Sequence, residues 1–226
     1  MDVEEEFKSF LAQGGGLGSA SLQDDFVITV ERFVAFLDIM GFKDKVARHN
    51  HDEILQDLRG ISDFLSQQHP KEQGINYAMF SDSLLFYTDN NSKEQLKSLC
   101  NIVKELLIYA TDIKIPFKGA ISKGILTADS KKQLYFGQPL IDAYLIGEEI
   151  LIYGVVAHHT IENDAKDIDD GFINKDVPLR SGHSCHYILN WYREEEKVKN
   201  ALTRIREDVS GTPRRYIDNT LALFSK

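Results

Sequence analysis

Apolar residues along the chain recur at two periods, two and about 3.6, and the switches between them mark the elements. An apolar run at 33–37 predicts a first strand over 33–39. Ile54, Leu55, Leu58, Ile61, Phe64 and Leu65 then recur at helical spacing as far as His69 and Pro70. "GINYAMFSDSLLFYTD" (74–89) is apolar and aromatic on both sides of Ser81 and Asp82, the pattern of a hairpin with a tight turn. Ser92 with Gln95 three residues later has the form of a capping box, and Leu96, Leu99, Val103, Leu106, Leu107 and Ala110 continue one helical face toward Pro116. "FKGAISKGILTA" (117–128) predicts a fourth strand, "QPLIDAYLIGEEI" (138–150) a helix starting near Pro139, and 151–161 a further strand.

This order opens β-α-β-β-α-β, so the expected fold is α+β, a ferredoxin-like core with an antiparallel sheet covered by helices. Past residue 165 come an acidic loop, two short strands around 177–179 and 187–189, and helices carrying Val198, Ala201, Leu202, Ile205 and Val209, then Tyr216, Ile217 and Leu221. Three regions are expected: an N-terminal extension (1–30), a core (31–165), and C-terminal strands with a helical appendage (166–226) that packs on the core or on a dimer partner. "AQGGGLGSAS" (12–21) reads as a loose link.

The first strand runs straight into Asp38, and a carboxylate at the end of an apolar strand is costly unless it is paired, caps a turn or holds a metal. In the predicted topology the hairpin turn lies beside that strand, which brings Asp82 to the same sheet edge as Asp38. Two such carboxylates repel, and a proton or a hard divalent cation such as Mg²⁺ relieves them. Gly41 and Phe42 lead from Asp38 into a helix start, where free backbone N–H groups can meet phosphate oxygens.

Composition narrows the partners. A net charge of −9 argues against broad binding to nucleic acid or anionic membrane, but leaves room for a basic pocket. The two cysteines, Cys100 and Cys185, do not form a disulfide framework, which with the absence of a basic leader points to the cytoplasm. No apolar run approaches the roughly 20 residues of a membrane span. His183, Cys185 and His186 lie close in sequence but lack the paired spacing of a structural zinc site.

"FLDIMGF" (36–42) together with "FSDSLLF" (80–86) resembles the paired metal-binding motifs of class III nucleotide cyclases. "KGAISKG" (118–124) and "YFGQPLIDAY" (135–144) fall where that family has its next strand and helix, so the resemblance spans about 33–160. It implies that Asp38 and Asp82 are catalytic ligands of two Mn²⁺ or Mg²⁺ ions, with the Ile39 carbonyl as a further ligand. It also implies that backbone amides at Gly41 and Phe42 hold the terminal phosphates and that Lys118 contacts phosphate.

Two departures from the family stand out. Where purine cyclases read the base with Lys or Glu, this chain has Ala78, which offers no side-chain hydrogen bond. Where the family has its transition-state Asn and Arg, it has Ile141 and Leu145, leaving Lys123, Arg180 or a basic residue of the second subunit as the replacement cation. With the tail "GTPRRYIDNTLALF" (211–224), these departures resemble the bacterial pyrimidine cyclases of the Pycsar anti-phage system. That resemblance implies a homodimer with sites at the subunit interface and conversion of UTP, or alternatively CTP, to the cyclic monophosphate. The product would be read by a separate cyclic-nucleotide effector, and Tyr77 and Tyr144 would flank the base beside Ala78. Two other readings stay open: a catalytically silent, cyclase-like nucleotide-binding dimer, and a palm-type polymerase or cyclic dinucleotide synthase, which the acidic charge disfavours.

Overall fold

A computed structural model of the chain describes residues 28–68, 72–192 and 195–224. The Gly-rich stretch at 12–21, the extension up to residue 27 and the helix stop at His69 and Pro70 lie outside the described residues. Strand β1 (Ile28–Ile39) is followed by helices α1 (Phe42–Arg48) and α2 (His51–Gln68), then by the hairpin β2 (Ile75–Phe80) and β3 (Ser83–Thr88). Helix α3 (Lys93–Asp112) leads to β4 (Phe117–Asp129), the short β5 (Leu134–Phe136), α4 (Gln138–Glu149) and β6 (Gly154–Ala157). A single turn of 3₁₀ helix and α5 (Glu162–Lys166) precede the hairpin β7 (Phe172–Leu179) and β8 (Gly182–Leu189), and α6 (Glu195–Asp208) and α7 (Thr212–Phe224) close the chain.

The strands form one sheet in the order β2-β3-β1-β4-β6-β8-β7, with β5 pairing on β4. Its first four strands are antiparallel neighbours in the ferredoxin-like order, and β6 adds on parallel to β4. The expected α+β core is therefore present, and β7 and β8 widen its sheet. Period two divides β1 between two faces. Phe33, Ala35, Leu37 and Ile39 point into the main core with Ile61 and Leu65 of α2, Leu99 and Leu106 of α3, and Leu202 and Ile217 of the C-terminal helices. Val34 and Phe36 point to the opposite face, where α4 lays Ala143 against Ala120 of β4.

Several elements differ from the sequence expectation, each for a local reason. β1 starts at Ile28 rather than 33, because the long ladder with β4 continues through Arg32 to Ala128. The buried Arg32 guanidinium lies 5.3 Å from the Tyr87 ring centre, a cation–π contact that lets a charge sit inside a strand. The strand expected over 151–161 shrinks to Gly154–Ala157, since parallel pairing reaches only from Lys118 to Ile121. The strands around 177–179 and 187–189 are longer than expected and pair with each other. Ser92 caps α3 as expected, accepting from the Gln95 N–H. The Gln95 side chain does not return to Ser92; it bonds the Gln73 carbonyl and the Asp89 N–H, clipping the β2–β3 hairpin to the helix.

Candidate active site

The site is the last row that crosses β2, β3, β1 and β4 at one end of the sheet. Reading across the register, Phe80 pairs with Ser83, Ser83 with Asp38, and Asp38 with Lys118. Alternation puts this row on the same face as the row two residues back, Ala78, Leu85, Phe36 and Ala120. Asp82 occupies the two-residue turn of the hairpin, which Ser81 makes possible by adopting a positive φ of 55°. The Asp82 carbonyl accepts the Ile39 N–H at 2.9 Å, so the hairpin turn is pinned to the end of β1 immediately after Asp38. Gly41 then turns the chain at φ 75°, a conformation that favours glycine, and Phe42 packs back onto the core as α1 begins.

Electrostatics set Asp38 apart. Burial pushes its carboxyl up, the charge of Asp82 pushes further, Lys118 pulls back, and Glu148 adds to the rise; the result is about 6. Carboxylates that share a site in this way hold a proton or attract a cation. Lys118 does not neutralise the pair by itself. It is 2% exposed, and its ammonium donates to Glu148 Oε1 at 2.9 Å. Glu148 also accepts from Arg180 Nη2 at 3.2 Å. Burial alone would raise the Glu148 carboxyl, but the hydrogen bond and charge of Lys118, then Arg180, outweigh it and hold it below the ordinary glutamate value. The Lys118 ammonium also lies 6.0 Å from the Tyr216 ring centre, which ties α7 to the site.

The structure gathers some of the expected residues and separates others. Asp38, Asp82, Ile39, Gly41 and Lys118 meet at one sheet end. Tyr144, on α4, sets its ring edge-to-face on Phe36 at 5.7 Å, and Ala78 lies on that same face. Tyr77 is not brought there. Its row, Tyr77, Phe86, Ala35 and Ile121, belongs to the opposite face, where Tyr77 packs against the main core. Lys123 is likewise turned away, bonded to Asp164 at 2.9 Å and lying over Phe33. Arg180, by contrast, reaches the site through Glu148. Ile141 and Leu145 are 51% and 55% exposed and line the outer face of α4 with Tyr144 and Glu148. Among the described residues there is no group of three or more His, Cys, Asp or Glu placed to hold a metal.

Sequence reasoning missed Glu148, although Ile141, Tyr144, Leu145 and Glu148 follow i, i+3, i+4, i+7, a spacing that places the glutamate on the same stripe. Two carboxylates, one raised by burial and then by the other's charge, plus main-chain oxygens are a donor set suited to a hard divalent cation completed by substrate phosphates.

No protein-family model matches the chain, and no curated protein matches it. Solved structures do. The catalytic core of a rhodopsin-guanylyl cyclase with converted specificity, in complex with ATPalphaS, aligns at 13% identity with TM-score 0.52, covering 71% of this chain and 96% of that one. An adenylyl cyclase from P. aeruginosa aligns at 12% identity with TM-score 0.52, covering 72% and 95%. A bacterial light-regulated adenylyl cyclase aligns at 12% identity with TM-score 0.53, covering 79% and 99%. No described helix is long and apolar enough to cross a membrane. The chain has the fold of class III nucleotide cyclase catalytic domains.

Proposed function

We propose that this protein is a homodimeric pyrimidine nucleotide cyclase of the cytoplasm that converts UTP to 3′,5′-cyclic UMP and pyrophosphate, a second messenger in bacterial anti-phage defence. The observation that carries the reading is the paired Asp38 and Asp82 at the end of a cyclase-type sheet. These carboxylates, with the Ile39 carbonyl, would hold two Mg²⁺ or Mn²⁺ ions. The ions would supply Lewis acidity at the ribose 3′-hydroxyl and at the leaving pyrophosphate.

The chain's own groups do the positioning. Backbone amides at Gly41 and Phe42 receive the terminal phosphates. Lys118, fixed by Glu148, presents positive charge beside the α-phosphorus, and Arg180 adds a second cation where Ile141 and Leu145 supply none. The 3′-oxygen bonds to the α-phosphorus as the bond to the β-phosphate oxygen breaks, releasing pyrophosphate and a proton. Ala78 and Tyr144 line the space for the base; Ala78 leaves it without a purine-reading side chain, which supports a pyrimidine. Phe80, 83% exposed, and the apolar stripe of Ile141, Tyr144 and Leu145 support a dimer that closes over this face, with the N-terminal extension and C-terminal helices as accessory regions.

Incubating the protein with ATP, GTP, CTP and UTP in turn, with Mn²⁺, and identifying products by mass tests the reading. Cyclic UMP, lost in Asp82→Ala, is the expected result, and cyclic CMP alone would move the assignment to a cytidylate cyclase. The exposed apolar residues at 141 and 145 favour one competing reading, a silent nucleotide-binding dimer. It would be adopted if a folded dimer made no cyclic product from any nucleotide.

A further inference from the structure

Behind the Gly41 turn lies a cavity of about 360 Å³, within the size range of small-molecule sites, walled by α1, the segment before β4, and the junction of α6 and α7. It does not include Asp38 or Asp82. Four basic side chains line it, and three are committed: Lys45 to Asp57, His49 to Glu53, and Lys114 to Asp208. Arg48 has no carboxylate partner among the described residues. Its guanidinium presents a planar fork of donors suited to a phosphate. Tyr153, 2% exposed, lines the same space, and its hydroxyl has no hydrogen-bond partner among the described residues. A buried phenol normally finds a partner. Met40, Pro116, Ile205 and Pro213 supply an apolar wall, and Asp44 and Asp208 are the carboxylates of the lining.

We infer that this cavity is a second binding site, for a phosphomonoester of nucleotide size, and that its occupancy is felt at the Asp38 row. The phosphate meets Arg48, the Tyr153 hydroxyl donates to an ester or sugar oxygen, and the organic body lies on the apolar wall. The cavity and the row share their supports. Met40 and Gly41 form the turn that directly follows Asp38 and Ile39, and the Pro116 carbonyl accepts the Met40 N–H at 3.1 Å just before β4 delivers Lys118. Tyr153 stacks on Tyr216 at 5.9 Å, and the Tyr216 ring lies under the Lys118 ammonium. A ligand that fixes the Gly41 turn and Tyr153 therefore fixes the groups on both sides of Asp38. Only this second link rests on the proposed cyclase activity.

Calorimetric titration of the full chain in EDTA with uridine 5′-monophosphate, inorganic phosphate and uridine tests the site. The expected result is saturable binding of the monophosphate at one site per chain, unchanged in Asp38→Asn/Asp82→Asn. Inorganic phosphate should bind more weakly, and uridine not at all. Arg48→Ala, at an exposed position, should weaken the monophosphate at least about tenfold, and Tyr153→Phe, which removes only the hydroxyl, by several fold. Absence of monophosphate binding overturns the inference, as does binding indifferent to Arg48→Ala or lost in the Asp38→Asn/Asp82→Asn protein. In the turnover assay, uridine monophosphate should change the wild-type rate at least about twofold and leave Arg48→Ala unaffected. Binding without any turnover would refute the cyclase reading and leave the site standing; turnover without binding would do the reverse.

Discussion

Asp38→Asn separates a site carboxylate from a structural one by the sign of its effect. In the metal-free fold the Asp38 carboxyl lies at about 6, against an ordinary aspartate value of 3.8. A carboxyl raised by folding binds its proton more tightly in the native state, so native stability falls as pH rises from 3.8 to about 6 and the full penalty persists above. At about 1.4 kcal/mol per pH unit the gap corresponds to about 3 kcal/mol, and solvent screening of a part-exposed group lowers this to about 1–2 kcal/mol. Asp38→Asn removes the charge while keeping the shape. At pH 8 in EDTA the variant should therefore melt about 2–6 °C above wild type, with the difference shrinking as pH falls below about 6. Adding Mn²⁺ should reverse the order, stabilising wild type by mass action and leaving the variant unmoved. Scanning calorimetry at pH 5 and 8, with and without Mn²⁺, checks all four conditions. A variant less stable than wild type at pH 8 in EDTA would refute the reasoning, because Asp38 would then be a structural acceptor.

Other perturbations test the frame around the pair. Glu148→Ala leaves Lys118 buried without its acceptor and should cost about 2–4 kcal/mol in urea unfolding, much of it restored by adding Lys118→Met; equal instability of the double variant would refute the pairing. Gly119→Ala would set a Cβ 2.1 Å from the Phe36 carbonyl oxygen, and should destabilise by at least about 2 kcal/mol; a neutral effect would contradict the close β1–β4 approach beside Lys118. Burial pushes the Cys100 thiol up to about 12, whereas Cys185 is exposed. A thiol reagent should therefore label one cysteine per native chain at pH 8 and two after denaturation, and rapid labelling of both in the native protein would contradict the buried placement.

The helices with apolar stripes were legible in the sequence because burial imposes their spacing: α2 and α3 lie where Ile61, Leu65, Leu99 and Leu106 place them. Of α1 only the start after Gly41 was legible, since the helix buries no residue and so carries no stripe to mark its extent. The N-terminal half of β1 was hidden by Glu31 and Arg32, charges that a pattern reader takes as a strand end and that the Tyr87 ring tolerates. Asp38 and Asp82 were legible as a pair because topology alone brings a hairpin turn beside the first strand. The face that Tyr77 takes was legible too. Strand parity puts residues 77 and 78 on opposite faces, and only 78 shares a face with Asp38. Arg180 could be named but not placed, because its approach to Glu148 depends on how the β7–β8 hairpin meets the end of α4, a tertiary contact with no local signature.

The most direct test of the central claim is to count Mn²⁺ bound per chain by electron paramagnetic resonance, with a non-hydrolysable UTP analogue present. Two ions per chain in the wild type, with binding abolished in Asp82→Ala and in Asp38→Asn, is the outcome this account predicts. Mn²⁺ binding that survives both substitutions, or no binding by the wild type, would contradict it.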